Sequence, residues 1–230
     1  MDKKGIVYLI PSLLDEDGIN AIPTYILEAV KTCDVFFVED ERTARRYLKK
    51  LWKEMVIDNY EWYDVEALDS FKKKLKEGKT IGIISEAGSP GIADPGQSLI
   101  AIAHEMNAEV KPLVGPNSIL LALMASGMNG QQFQFLGYLP IENHERVKSI
   151  KELEAESKKK NCTQIFIETP YRNNQLIEAL IKSCKENTLL CIAVNLTSSK
   201  EFIKTKTIGE WKNDKSNLHK QPAIFCLLAS

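Results

Sequence analysis

Ile83 to Gly96 reads IISEAGSPGIADPG, and the order of residue types along it decides the fold class. An apolar run, Lys79 to Ser85 (KTIGIIS), enters a loop carrying Gly88, Pro90, Gly91, Pro95 and Gly96, and a helix-like stretch from Pro95 to Met106 follows. A buried strand that feeds a helix through such a loop is a unit of an open α/β sheet. Ligands bind in these sheets outside the carboxyl ends of the strands, which is where this loop stands. Glycine lets a ligand approach the backbone closely, and proline holds the loop in one shape. The plain alternative is a long structural turn, although loops of this length in compact domains usually carry a role.

The same alternation extends outward. Gly5 to Ile10 and Val35 to Val38 are apolar runs separated by a helix-like stretch from Ala21 to Lys31, an opening of β-α-β type. A charged helix from Val65 to Glu77 ends at Gly78, Ala108 to Leu113 reads as a strand, and Ser118 to Ser126 as a small-residue helix. Further on come FQFLGYLP, a charged helix from His144 to Lys160, the strand Thr163 to Glu168 and a helix from Asn173 to Cys184. A strand from Thr188 to Val194, a hairpin around Phe202 to Ile208 and a strand from Ala223 to Leu228 close the chain. The reading is two α/β domains, 1–115 and 116–230, with the junction inside 113–131. A partly parallel sheet is expected in the first, and mixed or antiparallel pairing in the second, whose later strands have no helices between them. No internal repeat or low-complexity tract is present.

With 230 residues, 44% of them hydrophobic, the chain can bury a sizeable core. Thirty basic and thirty-one acidic side chains leave a net charge of -1, so no global field draws it to nucleic acid or an anionic membrane. The opening MDKKGIVYLIPSLLDEDG holds too short an apolar run for a signal-peptide core or a membrane span, so a soluble cytoplasmic protein is expected. Five scattered cysteines without a CxxC pair read as buried free thiols. His104, His144 and His219 lie far apart with no ligand spacing, so no metal site is expected.

A second loop, Val114 to Ser118 (VGPNS), also follows a strand and opens a helix, so its amides and Asn117 or Ser118 are placed to face a ligand or simply to cap the helix. Neither loop contains GxxxxGK[ST] or GxGxxG, which removes support for the known phosphate cradles.

These segments carry a family resemblance. SEAGSPGIADPG is similar to the SDAGTPxISDPG signature of the ribosomal RNA ribose methyltransferase I family, within the wider tetrapyrrole methylase superfamily. VGPNSILLALMASG resembles its PGPSAxxxALxxSG, FQFLGYLP its FxFxGFLP, IFIETPYR its xFYESPHR, and VFFVEDERTARRYL its xxxAEDTRxTxxLL, in the same order. The resemblance implies a homodimer of two-domain subunits with S-adenosylmethionine in the cleft between the domains. Carried onto matching positions, it implies a cofactor pocket of Glu86, Ala87, Gly88, Ser89 and Pro90, then Asn117, Ser118 and Thr169. Leu196 in AVNLTS and Pro222 and Ala223 in QPA follow on shorter matches. Departures gather on the substrate side: IPSLLDEDG replaces TPIGNLxD, NYEWYDVE replaces a YHEHNE-like stretch, and Tyr171 replaces a histidine. The chain also reads as a short form, ending at Ser230 where longer members carry an extra segment.

Methyl transfer from a sulfonium is an in-line displacement, so alignment supplies much of the acceleration. A ribose hydroxyl is still a poor nucleophile and gains from a group that accepts its proton. Glu39, Asp40, Glu86 and Asp94 are the candidates, with Asp40 and Asp94 equally suited to capping a helix or satisfying loop amides. Arg42, Arg45, Arg46, Lys49, Lys50 and Lys53 recur at helical spacing, forming a basic stripe that contacts RNA or simply faces solvent. Tyr60, Trp62 and Tyr63 either pack or stack on a planar substrate. The expected activity is methylation of a ribose 2′-hydroxyl of ribosomal RNA; the other readings are methylation of a tetrapyrrole or other small molecule, and a non-catalytic cofactor-binding interaction protein.

Overall fold

The computed structural model describes residues 5–214 and 216–230; Met1 to Lys4 of the charged opening lie outside the described residues. The chain divides into two compact units, the first ending at Asn117 and the second beginning at Ser118.

The first unit alternates strands and helices: β1 (Ile6–Ile10), α1 (Ile26–Thr32), β2 (Val35–Val38), α2 (Glu41–Leu51), β3 (Glu61–Asp64), α3 (Leu68–Lys76), β4 (Thr80–Ile84), α4 (Gln97–Glu105) and β5 (Glu109–Pro112). Its sheet has the order β3-β2-β4-β1-β5, with every pair parallel. Helices cover both faces, so β2 is buried at all four positions. Val35 and Phe37 enter one core with Val7, Phe71, Ile81 and Leu99, while Phe36 and Val38 enter the other with Ile10, Ile26, Leu48 and Met55. Gly82 makes room for the second: a Cβ there would stand 2.7 Å from the Phe36 ring and 2.8 Å from Ile10.

The second unit contains α5 (Ser118–Ser126), β6 (Phe133–Tyr138), α6 (Asn143–Lys160), β7 (Thr163–Ile167), α7 (Asn173–Ser183), β8 (Leu189–Val194), β9 (Phe202–Thr207), α8 (Ile208–Trp211) and β10 (Ala223–Leu228). The sheet order is β6-β7-β10-β8-β9, with β6 parallel to β7 and the other pairs antiparallel. Phe166, Phe225, Leu190 and Ile192 of the sheet pack with Ile150, Leu176, Leu180 and Trp211 in one core, and the Trp211 indole donates to the Leu190 carbonyl at 2.9 Å. Cys33, Cys162, Cys191 and Cys226 are buried, Cys184 is half-buried, and all five are unpaired.

The structure corrects three element readings. Phe202 to Thr207 is one strand, the second arm of a hairpin with β8, because Val194 pairs with Phe202 and the turn is made by Asn195 and Thr197 at φ 50° and 69°. The helix expected from Ala21 starts at Ile26, since Pro23 drives Ile22 into an extended conformation. The helix expected from Val65 starts at Leu68, where the Asp64 carboxylate accepts the Glu66 amide at 2.7 Å in an Asx turn after β3. Among the described residues no helix is long and apolar enough to cross a membrane.

Candidate functional site

Because the first sheet is wholly parallel, β1, β2, β4 and β5 all end at the same edge, and the segments beginning at Pro11, Glu39, Ser85 and Leu113 leave from it together. Backbone contacts stitch three of them. The Ser12 amide donates to the Gly88 carbonyl at 2.8 Å, the Ser85 hydroxyl donates to the same carbonyl at 3.1 Å, and the Ser89 hydroxyl reaches the Pro116 carbonyl at 3.4 Å. Gly88 itself has φ 75° with its α-carbon closely faced by Leu14 and Pro116, which is glycine's territory on both counts. Within the loop, one Asp94 oxygen accepts the amides of Gly91 and Gly96 at 2.8 and 2.9 Å. Burial raises the Asp94 carboxyl, the two amides pull it back, and its other oxygen is buried without a partner. Asp94 therefore shapes the loop.

Beside the stitched loops lies a cavity of about 540 Å³, a size typical of small-molecule sites, which run from roughly 300 to 1,000 Å³. One wall is the segment after β1, from Ser12 to Glu16; another is α2, through Thr43, Arg46, Tyr47 and Lys50; Glu86 and Ala87 complete it. Tyr47 is buried and its phenol donates to the Pro11 carbonyl at 2.7 Å, locking helix to loop. Desolvation raises that phenol's pKa, so it stays a donor.

The basic residues of α2 part company in three dimensions. Arg45 pairs with Glu41 at 2.5 Å and lies over the Trp62 ring at 5.2 Å, while Lys49 donates to the carbonyls of Lys53 and Met55 at 2.5 and 3.0 Å. Arg42 is exposed, and Arg46 and Lys50 line the cavity, Lys50 donating to the Glu16 carbonyl. Asp40 caps α2, accepting the Thr43 amide at 2.6 Å, and its hydrogen bonds to Thr43 hold it below the usual carboxylate range. Glu39, at the end of β2, accepts the Glu86 amide at 3.2 Å. Burial pushes its carboxyl above the usual range; the Glu86 amide opposes this, and the charges of Asp94, Glu86 and Asp64 add to it. Trp62 stacks on Phe36 at 5.0 Å and Tyr63 on Phe37 at 5.1 Å, so these aromatics pack.

Of the residues assigned to a cofactor pocket, Glu86 to Pro90 and Asn117 belong to the first unit. Glu86 and Ala87 are exposed at the cavity, Ser89 is half-buried, and Gly88 and Pro90 are buried beneath them. Ser118 begins α5 in the second unit. There Thr169, Leu196, Pro222 and Ala223 meet at one end of the sheet: Ala223 pairs with Val194, the Asn195 amide donates to the Pro222 carbonyl at 3.0 Å, and Ile224 pairs with Ile167 just before Thr169. The Thr169 amide donates at 2.6 Å to Glu168, whose buried carboxylate also takes Nε and Nη2 of Arg172 at 3.0 and 2.6 Å and keeps its second oxygen without a partner.

Sequence reasoning did not single out Leu14, Tyr47 or Glu168. The segment after β1 had a usable signal, because it follows a strand of a parallel sheet; Tyr47 and Glu168 had none, since only packing reveals their partners. His104, His144 and His219 are exposed, and among the described residues no group of three His, Cys, Asp or Glu side chains could hold a metal ion.

Comparison with known proteins adds an independent line. Residues 22–212 match the family model described as Tetrapyrrole (Corrin/Porphyrin) Methylases. The ribosomal RNA small subunit methyltransferase I of Bacillus subtilis (strain 168) is 30% identical over 214 residues, covering 91% of this chain and 71% of the relative. Its counterpart in Buchnera aphidicola subsp. Schizaphis graminum is 28% identical over 232 residues, covering 99% and 79%. Among solved structures, the methyltransferase CobJ superposes with a TM-score of 0.63 at 13% identity, over 99% of this chain and 94% of that one, a likeness of fold.

Proposed function

We propose that this chain, which belongs to the tetrapyrrole (corrin/porphyrin) methylase family and is a methyltransferase, moves the methyl group of S-adenosylmethionine to a ribose 2′-hydroxyl of small-subunit ribosomal RNA. The observation that carries the reading is the cavity at the strand ends, whose lining includes the cations Arg46 and Lys50 of α2 and the carboxylate of Glu86. A phosphodiester suits the cations, and the Glu86 side brings a hydroxyl that must lose a proton toward Glu39, which accepts the Glu86 amide at 3.2 Å. The near full-length likeness to ribosomal RNA small subunit methyltransferase I supports the same acceptor class.

The donor fits what the loops offer. Gly88, closely faced by Leu14 and Pro116, holds the loop backbone against Ser12, and the exposed Glu86 and Ala87 before it line the cavity. When bound, S-adenosylmethionine supplies a methyl group already activated on a sulfonium. The protein's part is to hold and orient. Asp94 fixes the loop, Tyr47 ties α2 to Pro11, and Glu39, held by the Glu86 amide and raised above the usual carboxylate range by burial, is assigned to take the ribose proton. In the second unit, Thr169, Leu196, Pro222 and Ala223 are assigned to the donor as well.

The test is transfer of label from methyl-tritiated S-adenosylmethionine to small-subunit ribosomal RNA taken from cells lacking the protein. Incorporation is expected at one linkage that then resists alkali, because a 2′-O-methyl group removes the internal nucleophile. Label that stays in an alkali-labile nucleotide would reject the ribose, and no incorporation despite donor binding would reject the RNA.

A further inference from the structure

The second unit carries an exposed aromatic and basic patch that the donor assignments do not use. Tyr171 is 66% exposed, and Tyr138, at the end of β6 and paired with Ile167, is 61% exposed. Arg172, next to Tyr171 in the chain, feels the Tyr138 phenol as well, so the two open rings belong to one surface. Tyr171 is steadied without being buried: the His219 ring meets it edge to face at 5.9 Å, and the Lys220 amide donates to the Pro170 carbonyl at 2.9 Å. The adjoining Arg172 is pinned through two nitrogens to the buried Glu168 carboxylate, so the backbone that presents Tyr171 is fixed. Lys220 is exposed and joins no ion pair among the described residues. An open ring held by its backbone, with the exposed Lys220 tied by its amide to the residue preceding that ring, has the composition of a single-strand nucleic-acid platform, where a base stacks and its phosphate meets the charge.

We propose that Tyr171 stacks on an unpaired base of the acceptor RNA and that Lys220 meets the adjoining phosphate. The inference rests on the RNA reading above and names a contact surface for it. It adds to the cavity cations Arg46 and Lys50 a site on the other unit.

Binding of unmethylated small-subunit ribosomal RNA, transcribed in vitro, is measured by filter retention over a range of salt. Tyr171→Ala is expected to weaken binding about tenfold, whereas Tyr171→Trp and Tyr171→Phe keep it. Lys220→Ala is expected to lower the slope of log affinity against log salt by roughly 0.7. Affinity for S-adenosylmethionine and the melting temperature should not move in any of these variants, since the side chains are exposed. Wild-type protein that binds the RNA while Tyr171→Ala binds it equally well overturns the stacking site alone. Loss of donor affinity together with RNA affinity in Tyr171→Ala overturns it too, by showing a general disturbance. Wild-type protein that does not bind the RNA overturns the acceptor reading, and this inference with it.

Discussion

Gly115 sits where two loops touch: a Cβ added there would lie 2.2 Å from the Pro11 Cβ and 2.3 Å from its Cγ, against a ring that cannot swing away. Gly115→Ala must therefore displace one loop or the other. We expect a loss of about 1–3 kcal/mol, the usual cost of overpacking, seen as a lower melting temperature together with weaker donor binding; an unchanged melting curve would refute the contact. Glu39 makes a chemical prediction. Removing a general base costs roughly 10²- to 10⁴-fold, so Glu39→Gln should reduce kcat within that range and leave donor affinity nearly intact. The sign of the pH dependence follows from the direction of the shift: a carboxyl raised by burial stays protonated to higher pH than a free glutamate. The acid limb of kcat/KM in the wild type should accordingly lie above the usual carboxylate range and vanish in Glu39→Gln. A profile that Glu39→Gln leaves unaltered would exclude this residue as proton acceptor.

Among the elements, α2 bears the most on the proposed reaction, because it presents Arg46 and Lys50 to the cavity while Arg45 and Lys49 engage the protein's own groups. Its start depends on Asp40. Asp40→Ala removes the cap and should cost about 1 kcal/mol, read as a lower urea midpoint with an unchanged slope. Lys206 of β9 pairs with Asp214 at 2.6 Å, and this ion pair, with help from Ser216, lowers the Asp214 carboxyl to about 2. A depressed carboxyl stabilises the fold above its unfolded value and loses that contribution as pH falls through the folded one. Stability should thus decline between the ordinary value of 3.8 and about 2, and Asp214→Asn should flatten that part of the curve. The helix period was legible in the sequence, yet it placed six cations on one face, Lys53 among them, although α2 ends at Leu51 and carries five. It could not show that Trp62 lies under Arg45, or that Lys49 turns to the carbonyls of the following loop, because those partners come from β3 and from the chain beyond the helix.

Across the molecule, a ligand that binds only the native state raises its stability by mass action, by about 2.7 kcal/mol at a hundred times its dissociation constant. S-adenosylmethionine should raise the melting temperature accordingly. Under the same conditions, hydrogen exchange should slow in the Ser85 to Gly96 loop of the first unit and around Thr169 and Pro222 of the second. Slowing in the first unit alone would withdraw Thr169, Leu196, Pro222 and Ala223 from the donor assignment. The alternation of buried strand, loop and helix was readable without coordinates, since each strand's own apolar run and each loop's glycines and prolines are local properties; partly parallel pairing in the first unit and mixed or antiparallel pairing in the second were expected from the spacing of those runs, but the strand order was not. The family was readable too, from five short segments in one order. What tertiary structure alone decided is which side chains share a cavity and which are already engaged. Pro11 meets Gly115, Tyr47 holds Pro11, and Glu39 holds Glu86 across dozens of residues of chain. Such contacts depend on the register and order of the strands, which no local pattern encodes.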